Sequence, residues 1–135
     1  MSYITGYWFD SSGQINLSPD DTVIQEKQNS ETKKHSYCCA VCKNKITSDA
    51  CAITVEGEHN HCKINPVGRR YQLRCFSSAA GCGISGEPSS YFSWFNGYSW
   101  RFAHCGQCNI QLGWFFEGSS HFFGLIEEQI IRCDN

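Results

Sequence analysis

The pattern of hydrophobic and polar positions divides the chain into a polar first part and a second part with the period of β-strands. From Met1 to about Tyr37, Ser, Asp, Gln, Glu and Lys dominate, and no strand or helix period is sustained. The exception is the aromatic stretch 4–9, which would either dock as an edge strand or remain a short unattached apolar patch. We therefore predict a mobile N-terminal arm over residues 1–37 and a folded domain over residues 38–135.

From Cys38 onward, glycine is frequent, and β-branched or aromatic residues alternate with polar ones. Every second residue of the segment 71–75 is apolar, which is the period of a half-buried strand. Turn signals at Asn65-Pro66 and Asn96-Gly97 separate short segments. Four large apolar residues are predicted to share one strand face that points at a core or a pocket: Ile110, Leu112, Trp114 and Phe116. No long amphipathic helix is visible, so the pattern predicts an all-β domain.

Composition and charge argue for a single domain and against some classes of function. A chain of 135 residues with 41% hydrophobic residues suits one domain with a modest core, which a metal or disulfides would supplement. The net charge is −2 and the basic residues are scattered, so nucleic acid is not an expected partner. No apolar segment approaches the roughly 20 residues that cross a bilayer, and no signal peptide pattern is present. We therefore expect a cytoplasmic protein with reduced thiols, whose oligomeric state the sequence leaves undetermined.

Two Cys-x-x-Cys pairs, Cys39 with Cys42 and Cys105 with Cys108, predict a tetrahedral zinc site. The stretch between the pairs is longer than the roughly 15 to 20 residues of small zinc ribbons, so the site would join distant parts of the domain. With four protein ligands no coordination position stays open, and one structural Zn²⁺ per chain is expected. The alternative is that these are reduced core thiols or a redox pair. His35 and His104 are expected to be bystanders, and the cysteines expected to be buried inert thiols are Cys38, Cys51, Cys62, Cys75, Cys82 and Cys133.

The segments 92–100 and 114–116 contain three of the four tryptophans. Tryptophan buries a large area and has an N–H group that needs a partner, so such a cluster indicates a ligand-binding wall or an interface, with an aromatic core as the alternative. A regular two-residue hairpin at Asn96-Gly97 would place Trp94 and Trp100 on opposite faces. A shared cage therefore requires an irregular loop.

An ordered series of motifs resembles the CULT domain family, the thalidomide-binding domain of cereblon and cereblon-like proteins. Beside the two cysteine pairs, these motifs are Asn65-Pro66-x-Gly68, Gly86-x-Pro88-Ser89, Ser93-Trp94-Phe95-x-Gly97-Tyr98-x-Trp100, Leu112-Gly113-Trp114 and Phe123-Gly124-Leu125. The resemblance covers about 38–131, nearly the whole predicted domain. Because no Lon-like region precedes the motifs, the chain looks like the stand-alone, bacterial-type members, and the ubiquitin-ligase adaptor role is not carried over.

The resemblance implies a small β-tent of two antiparallel sheets stapled by the zinc, and a non-enzymatic pocket for cyclic imides. The implied ligands are glutarimide rings of thalidomide-type compounds, uridine-like rings, or C-terminal cyclic imides of proteins. By position, the ligand-binding residues are Trp94, Trp100 and Trp114 as walls, Phe116 as the floor, Asn65 and Tyr71 at the rim, and Phe92 and Ser93 where the family holds the imide. Two positions depart from the family pattern. Phe92 stands where animal cereblon has histidine, and Asn96 stands where the family loop has proline. Because of the first change, a side-chain contact with a ligand's second ring is expected to be lost.

Two other functions remain open. A cage of tryptophans also suits a quaternary ammonium such as choline or methyl-lysine, although such a reader usually needs a carboxylate and only Glu117 follows the cage closely. Fold analogy suggests a methionine sulfoxide reductase of the B type, which would need an exposed nucleophilic cysteine. Cys75 or Cys82 would be the candidates, without a matching motif around either.

Overall fold

The computed structural model describes residues 35–133, which form two antiparallel β-sheets. The strands are β1 (Ser36–Cys39), β2 (Lys45–Ser48), β3 (Asn60–Ile64), β4 (Arg70–Phe76), β5 (Cys82–Ser89), β6 (Ser99–Cys105), β7 (Gln111–Glu117), β8 (His121–Ile126) and β9 (Ile130–Arg132). Helix is limited, in this range, to single 3₁₀ turns at Asp49–Cys51 and Glu127–Gln129. The all-β class and the two antiparallel sheets predicted above are confirmed.

The first sheet has three strands in the order β2-β1-β9, and the second has six in the order β3-β4-β8-β7-β6-β5. Strands β5 to β8 pair with their neighbours in sequence, and β4 then pairs with β8. This pairing brings the β3–β4 hairpin beside the meander of β5 to β8. The aromatic residues of both segments can therefore meet on one sheet.

Two hydrophobic clusters hold the fold together. The larger one contains residues of both sheets, among them Tyr37 and Ile130 of the first sheet and Leu125 of the second. The smaller one consists of Cys75, Phe95, Phe116 and Phe122, all with 2% exposure or less. Burial of each phenylalanine stabilises the fold by roughly 2–3 kcal/mol.

A β-bulge in β7 makes one prediction about this strand wrong. Ala103 pairs with Gly113 but His104 pairs with Gln111, so Leu112 is an extra residue in the ladder. Leu112 packs in the larger cluster, whereas Trp114 and Phe116 belong to the smaller one. The expected shared face of Ile110, Leu112, Trp114 and Phe116 is therefore interrupted, because one inserted residue reverses the alternation of side chains.

Cys38 and Cys133 form a disulfide between β1 and the residue that follows β9, with their Cα atoms 5.9 Å apart. The expectation that both are reduced thiols is wrong. Sequence spacing did not reveal the pair because the two cysteines are 95 positions apart, and only the pairing of β1 with β9 brings them together.

Strand β1 begins at Ser36, two residues before the predicted start of the domain at Cys38, and Tyr37 is buried. The predicted arm, including the possible edge strand at 4–9, otherwise lies outside the described residues. Among residues 35–133 there is no helix that has the length and apolar character needed to span a membrane.

Candidate metal centre and aromatic pocket

Each Cys-x-x-Cys pair closes a tight loop, and the two loops have the same backbone geometry. The N–H of Lys43 donates to the carbonyl of Cys39 (2.9 Å), and the N–H of Asn109 donates to the carbonyl of Cys105 (3.0 Å). Lys43 and Asn109, which directly follow the second cysteine of each pair, both have φ of 68°. The left-handed residue turns the chain back so that both sulfurs of a pair lie on one side of the loop.

The two loops bring four sulfurs together. Cys39 Sγ lies 3.6 Å from Cys108 Sγ, and Cys42 Sγ lies 3.5 Å from Cys105 Sγ. All four sulfurs lie within 4.8 Å of one another. A tetrahedral ion with metal–sulfur bonds of about 2.3 Å needs sulfurs about 3.8 Å apart. The cluster therefore has the spacing to bind a metal ion, as predicted.

The sulfur of Cys105 accepts hydrogen bonds from two backbone amides and one side chain. The N–H groups of Gln107 and Cys108 donate to its sulfur at 3.3 and 3.5 Å, and the Asn44 side chain does so at 3.7 Å. Burial opposes ionisation of Cys105, but these hydrogen bonds outweigh it and lower its pKa to about 6. The thiolate form of this one cysteine is thus favoured at neutral pH.

The other free cysteines differ in exposure. Burial raises the pKa of Cys75 to about 11 and that of Cys82 to about 12, so both thiols are protonated at neutral pH. Cys62 is exposed, and Cys51 and Cys82 are half-buried, so the expectation that all of these cysteines are buried is wrong for these three. The Ser78 hydroxyl, 3.2 Å from Cys51 Sγ, lowers the pKa of that thiol.

A cavity of about 340 Å³ opens between the turn after β3, the loop 90–98 and strands β6 and β7. It is lined by Asn65, Pro66, Tyr71, Tyr91, Phe92, Trp94, Trp100, Phe102, Gln111, Trp114 and Phe116. None of these side chains carries a charge. Seven of the eight predicted ligand-binding residues are therefore neighbours in one pocket.

The three tryptophans form two sides of this pocket. Trp94 and Trp114 meet edge to face with ring centroids 4.8 Å apart, and Tyr71 packs against Trp114 at 5.1 Å. Trp100 packs against Phe102 at 5.3 Å instead. The Trp94–Trp114 pair and the Trp100–Phe102 pair are thus two separate parts of the cavity wall. Phe116 lines the cavity from the buried cluster and is 1% exposed.

Two of the indole N–H groups hold the walls in place. Trp94 Nε1 donates to the carbonyl of Ile64 at the end of β3 (2.9 Å), and Trp100 Nε1 donates to the carbonyl of Tyr91 (2.8 Å). For the indole N–H of Trp114, residues 35–133 provide no hydrogen-bond acceptor. The rings of Trp94 and Trp100 are thus held rigidly, whereas the indole N–H of Trp114 remains a hydrogen-bond donor without a partner in this range.

The loop 90–98 is irregular, which a shared cage requires. Trp94 lies in no strand, and the N–H of Tyr98 closes a turn on the carbonyl of Phe95 (3.0 Å) with Gly97 at φ 85°. Phe92 has φ of 52°, a left-handed conformation that is rare for an aromatic residue, and its side chain is 52% exposed at the cavity mouth. This loop, rather than a hairpin, places Trp94 opposite Trp100.

The rim residue Asn65 organises its own turn. Its Oδ1 accepts hydrogen bonds from the N–H groups of Val67 (3.1 Å) and Arg69 (2.8 Å). This use of the oxygen leaves the side-chain NH₂ group as the remaining donor of Asn65 at the rim. The turn that presents Pro66 to the cavity is thereby fixed.

Ser93 does not line the cavity: its hydroxyl donates to the carbonyl of Phe95 (3.2 Å) within the loop. Sequence reasoning missed four lining residues, which are Pro66, Tyr91, Phe102 and Gln111. Phe102 was recognisable, because it is two residues from Trp100 on one strand and shares its face. Gln111 was not, because only the bulge at Leu112 turns it toward the tryptophans.

Comparison with known proteins relates the chain to cereblon. No protein-family model matches it. "Protein cereblon" of Danio rerio is 32% identical over 84 residues, which are 60% of this chain and 19% of that protein. The Drosophila erecta and Drosophila melanogaster proteins of the same name are 31% and 34% identical, over 78% and 66% of this chain and 20% and 17% of theirs. The chain thus spans about a fifth of the curated relatives that it matches, and it is related to cereblon.

Proposed function

We propose that the chain is a non-enzymatic binding module that takes a cyclic imide ring into the aromatic pocket, with zinc in the four-cysteine cluster as a structural staple. The observation that carries this proposal is the pocket itself, whose lining in the described part of the chain combines three tryptophans with no charged side chain. A volume of about 340 Å³ is at the small end of ligand pockets and suits a single ring.

The polar groups near the tryptophans support an imide over a plain hydrocarbon ring. An imide presents one N–H donor between two carbonyl acceptors. The backbone N–H groups of Phe92 and Trp94 and the carbonyl of Phe92 have no hydrogen-bond partner within the described part of the chain. These groups and the indole N–H of Trp114 belong to residues that line the cavity, so they are the donors and the acceptor that we propose for an imide edge.

Zinc is proposed for the cluster because four thiolates at tetrahedral spacing are its typical structural ligands. A closed Cys₄ sphere leaves no position for water, so the ion would hold the two loops together without taking part in a reaction.

The quaternary-ammonium alternative has one point in its favour, the tryptophan faces, but it lacks a counter-charge. Among residues 35–133 no Asp or Glu lines the pocket, and Glu117 lines a separate depression with Tyr98 and Ser99. The reductase alternative would need a reactive thiol. Cys75 and Cys82, its candidates, are held protonated by burial, which argues against nucleophilic catalysis at neutral pH.

Titration of one sample with glutarimide, N-methylglutarimide, uridine and choline, followed by tryptophan fluorescence and calorimetry, tests the proposal. Burying about 100 Å² of apolar ring contributes on the order of 2.5 kcal/mol, and each hydrogen bond about 1 kcal/mol. Because these contributions sum to roughly 6 kcal/mol before the cost of association is subtracted, we expect glutarimide to bind weakly, in roughly the millimolar range. N-methylation removes the donor and strands a buried acceptor, so binding should fall at least about tenfold. Equal affinity for both imides, or tighter binding of choline, would refute the imide proposal.

The cytoplasmic location, the stand-alone bacterial type and a protein partner that carries a terminal cyclic imide remain proposals.

A further inference from the structure

The disulfide between Cys38 and Cys133 lies beside the metal centre. Cys38 directly precedes Cys39, a member of the four-cysteine cluster, and both lie in β1. The bridge therefore ties the last described residue to the strand that leads into the first cysteine loop.

Strand β9, which the bridge secures, is a short strand at the edge of the smaller sheet. It contains three residues, its neighbour among the described strands is β1, and of its three side chains that of Ile130 is buried. A short edge strand with one buried side chain opens easily in isolation. The covalent link to Cys38 limits how far β9 can leave β1.

The segment before and within β9 supports the first cysteine loop. The N–H of Ala40 donates to the carbonyl of Gln129 (2.9 Å), and Cys39 is paired with Ile130 across the two strands. Ile130 also shares the larger hydrophobic cluster with Cys39. The position of the Cys39 sulfur thus depends on β9 remaining in place.

We propose that the Cys38–Cys133 bridge is a redox-sensitive clasp that controls how long the four-cysteine cluster retains its metal ion. This inference rests on the metal centre of the proposed function. With the clasp closed, β9 holds the first cysteine loop; with the clasp reduced, β9 leaves β1 and Cys39 becomes the weakest ligand.

The chemistry is a thiol–disulfide exchange with a dithiol reductant. Cys38 is 5% exposed whereas Cys133 is half-buried, so the incoming thiolate reaches the Cys133 sulfur. Its attack forms a mixed disulfide with Cys133, breaks the bridge and releases Cys38 as a thiolate, which takes up a proton. The second thiolate of the reductant then displaces the Cys133 sulfur, which is also protonated. The reductant leaves as its disulfide after giving two electrons.

The test compares metal release from the purified zinc-loaded chain before and after treatment with a water-soluble phosphine, which does not compete for zinc as a dithiol would. Mass spectrometry verifies the state of the bridge, and a chromogenic chelator measures the rate of metal loss. We expect release to be at least about tenfold faster after reduction, and the thermal midpoint to fall by about 10 °C or more, because the bridge closes a long loop. Cys133→Ser should match the reduced protein whether or not phosphine is present.

Cys62→Ser is the matched control, because it also removes one cysteine, which is exposed on β3 and belongs to neither the bridge nor the cluster. It should respond to phosphine as the unaltered chain does. A zinc-bound chain that releases its metal equally fast in both redox states, or one whose Cys38 and Cys133 remain free thiols under mild oxidation, overturns the clasp alone. A chain that binds no metal overturns the metal proposal as well, and imide titration shows independently whether the pocket proposal survives.

Discussion

The four-cysteine cluster and the aromatic pocket differ in how much of the fold each needs in order to form. Each half of the cluster is a local loop whose geometry depends on one left-handed residue, Lys43 or Asn109. The pocket instead combines the turn after β3, the loop 90–98 and two strands, and its walls are anchored by indole hydrogen bonds to remote carbonyls. The cysteine loops can thus be recognised from the spacing of residues in the sequence, whereas the pocket forms only when separate segments pack together.

The largest expected effect is at the cluster. Cys39→Ser or Cys105→Ser removes one of four ligands, and since structural metal binding is coupled to folding, we expect the variant to lose its metal and its cooperative thermal transition. Metal analysis and circular dichroism measure both. Retention of the transition after complete chelation would show that the cluster is not what holds the fold.

The next effect concerns β7, the strand that contains the bulge at Leu112 and contributes residues to the pocket. A Cβ atom added at Gly113 would overlap the carbonyl of Gly124 on β8, so Gly113→Ala should force a backbone shift and destabilise the fold by about 3 kcal/mol. Chemical denaturation measures this loss. Gly57→Ala is the comparison, because a Cβ atom there meets no neighbour and the φ of 86° should cost only the roughly 1–2 kcal/mol of a left-handed alanine; an equal loss in both variants would contradict the steric explanation.

A pocket variant should separate binding from folding. Trp114→Ala removes a wall and the unpaired indole donor, so imide binding should weaken by more than about tenfold while the metal content stays unchanged. Tyr98→Ala is the control, because Tyr98 packs on Phe122 outside the cavity. If Trp114→Ala bound the imide as tightly as the control variant, Trp114 would be a core residue and not part of the binding site.

The smallest effects are expected at two residues with left-handed backbone conformations, one in each region. Lys43→Gly and Phe92→Gly both relieve a strained φ but add flexibility to the unfolded chain, so the free energy of unfolding should change by no more than about 1 kcal/mol in either. Only Phe92→Gly removes a side chain at the cavity mouth. We expect it alone to alter imide affinity, measured by fluorescence; a matching change in Lys43→Gly would indicate a global effect.

Parts of this molecule were predictable from the sequence because they depend on neighbouring residues. The alternation around Leu73 indicated a strand, and spacing identified all four cysteines of the cluster. The motif resemblance named seven of the residues that line the cavity. It also included Ser93, whose hydroxyl bonds inside its own loop, a contact that depends on the exact path of the chain.

The sequence alone determined the all-β class, the four cysteines of the cluster and the three tryptophans of the pocket, since strand periodicity, cysteine spacing and the concentration of tryptophans are properties of short segments. Only the tertiary structure decided the bulge at Leu112, the bridge between Cys38 and Cys133, and the entry of Gln111 and Tyr91 into the cavity. Each of these depends on which distant strands pair and in which register. A register is chosen by the packing energy of the whole sheet, and a shift of one residue redirects every side chain that follows.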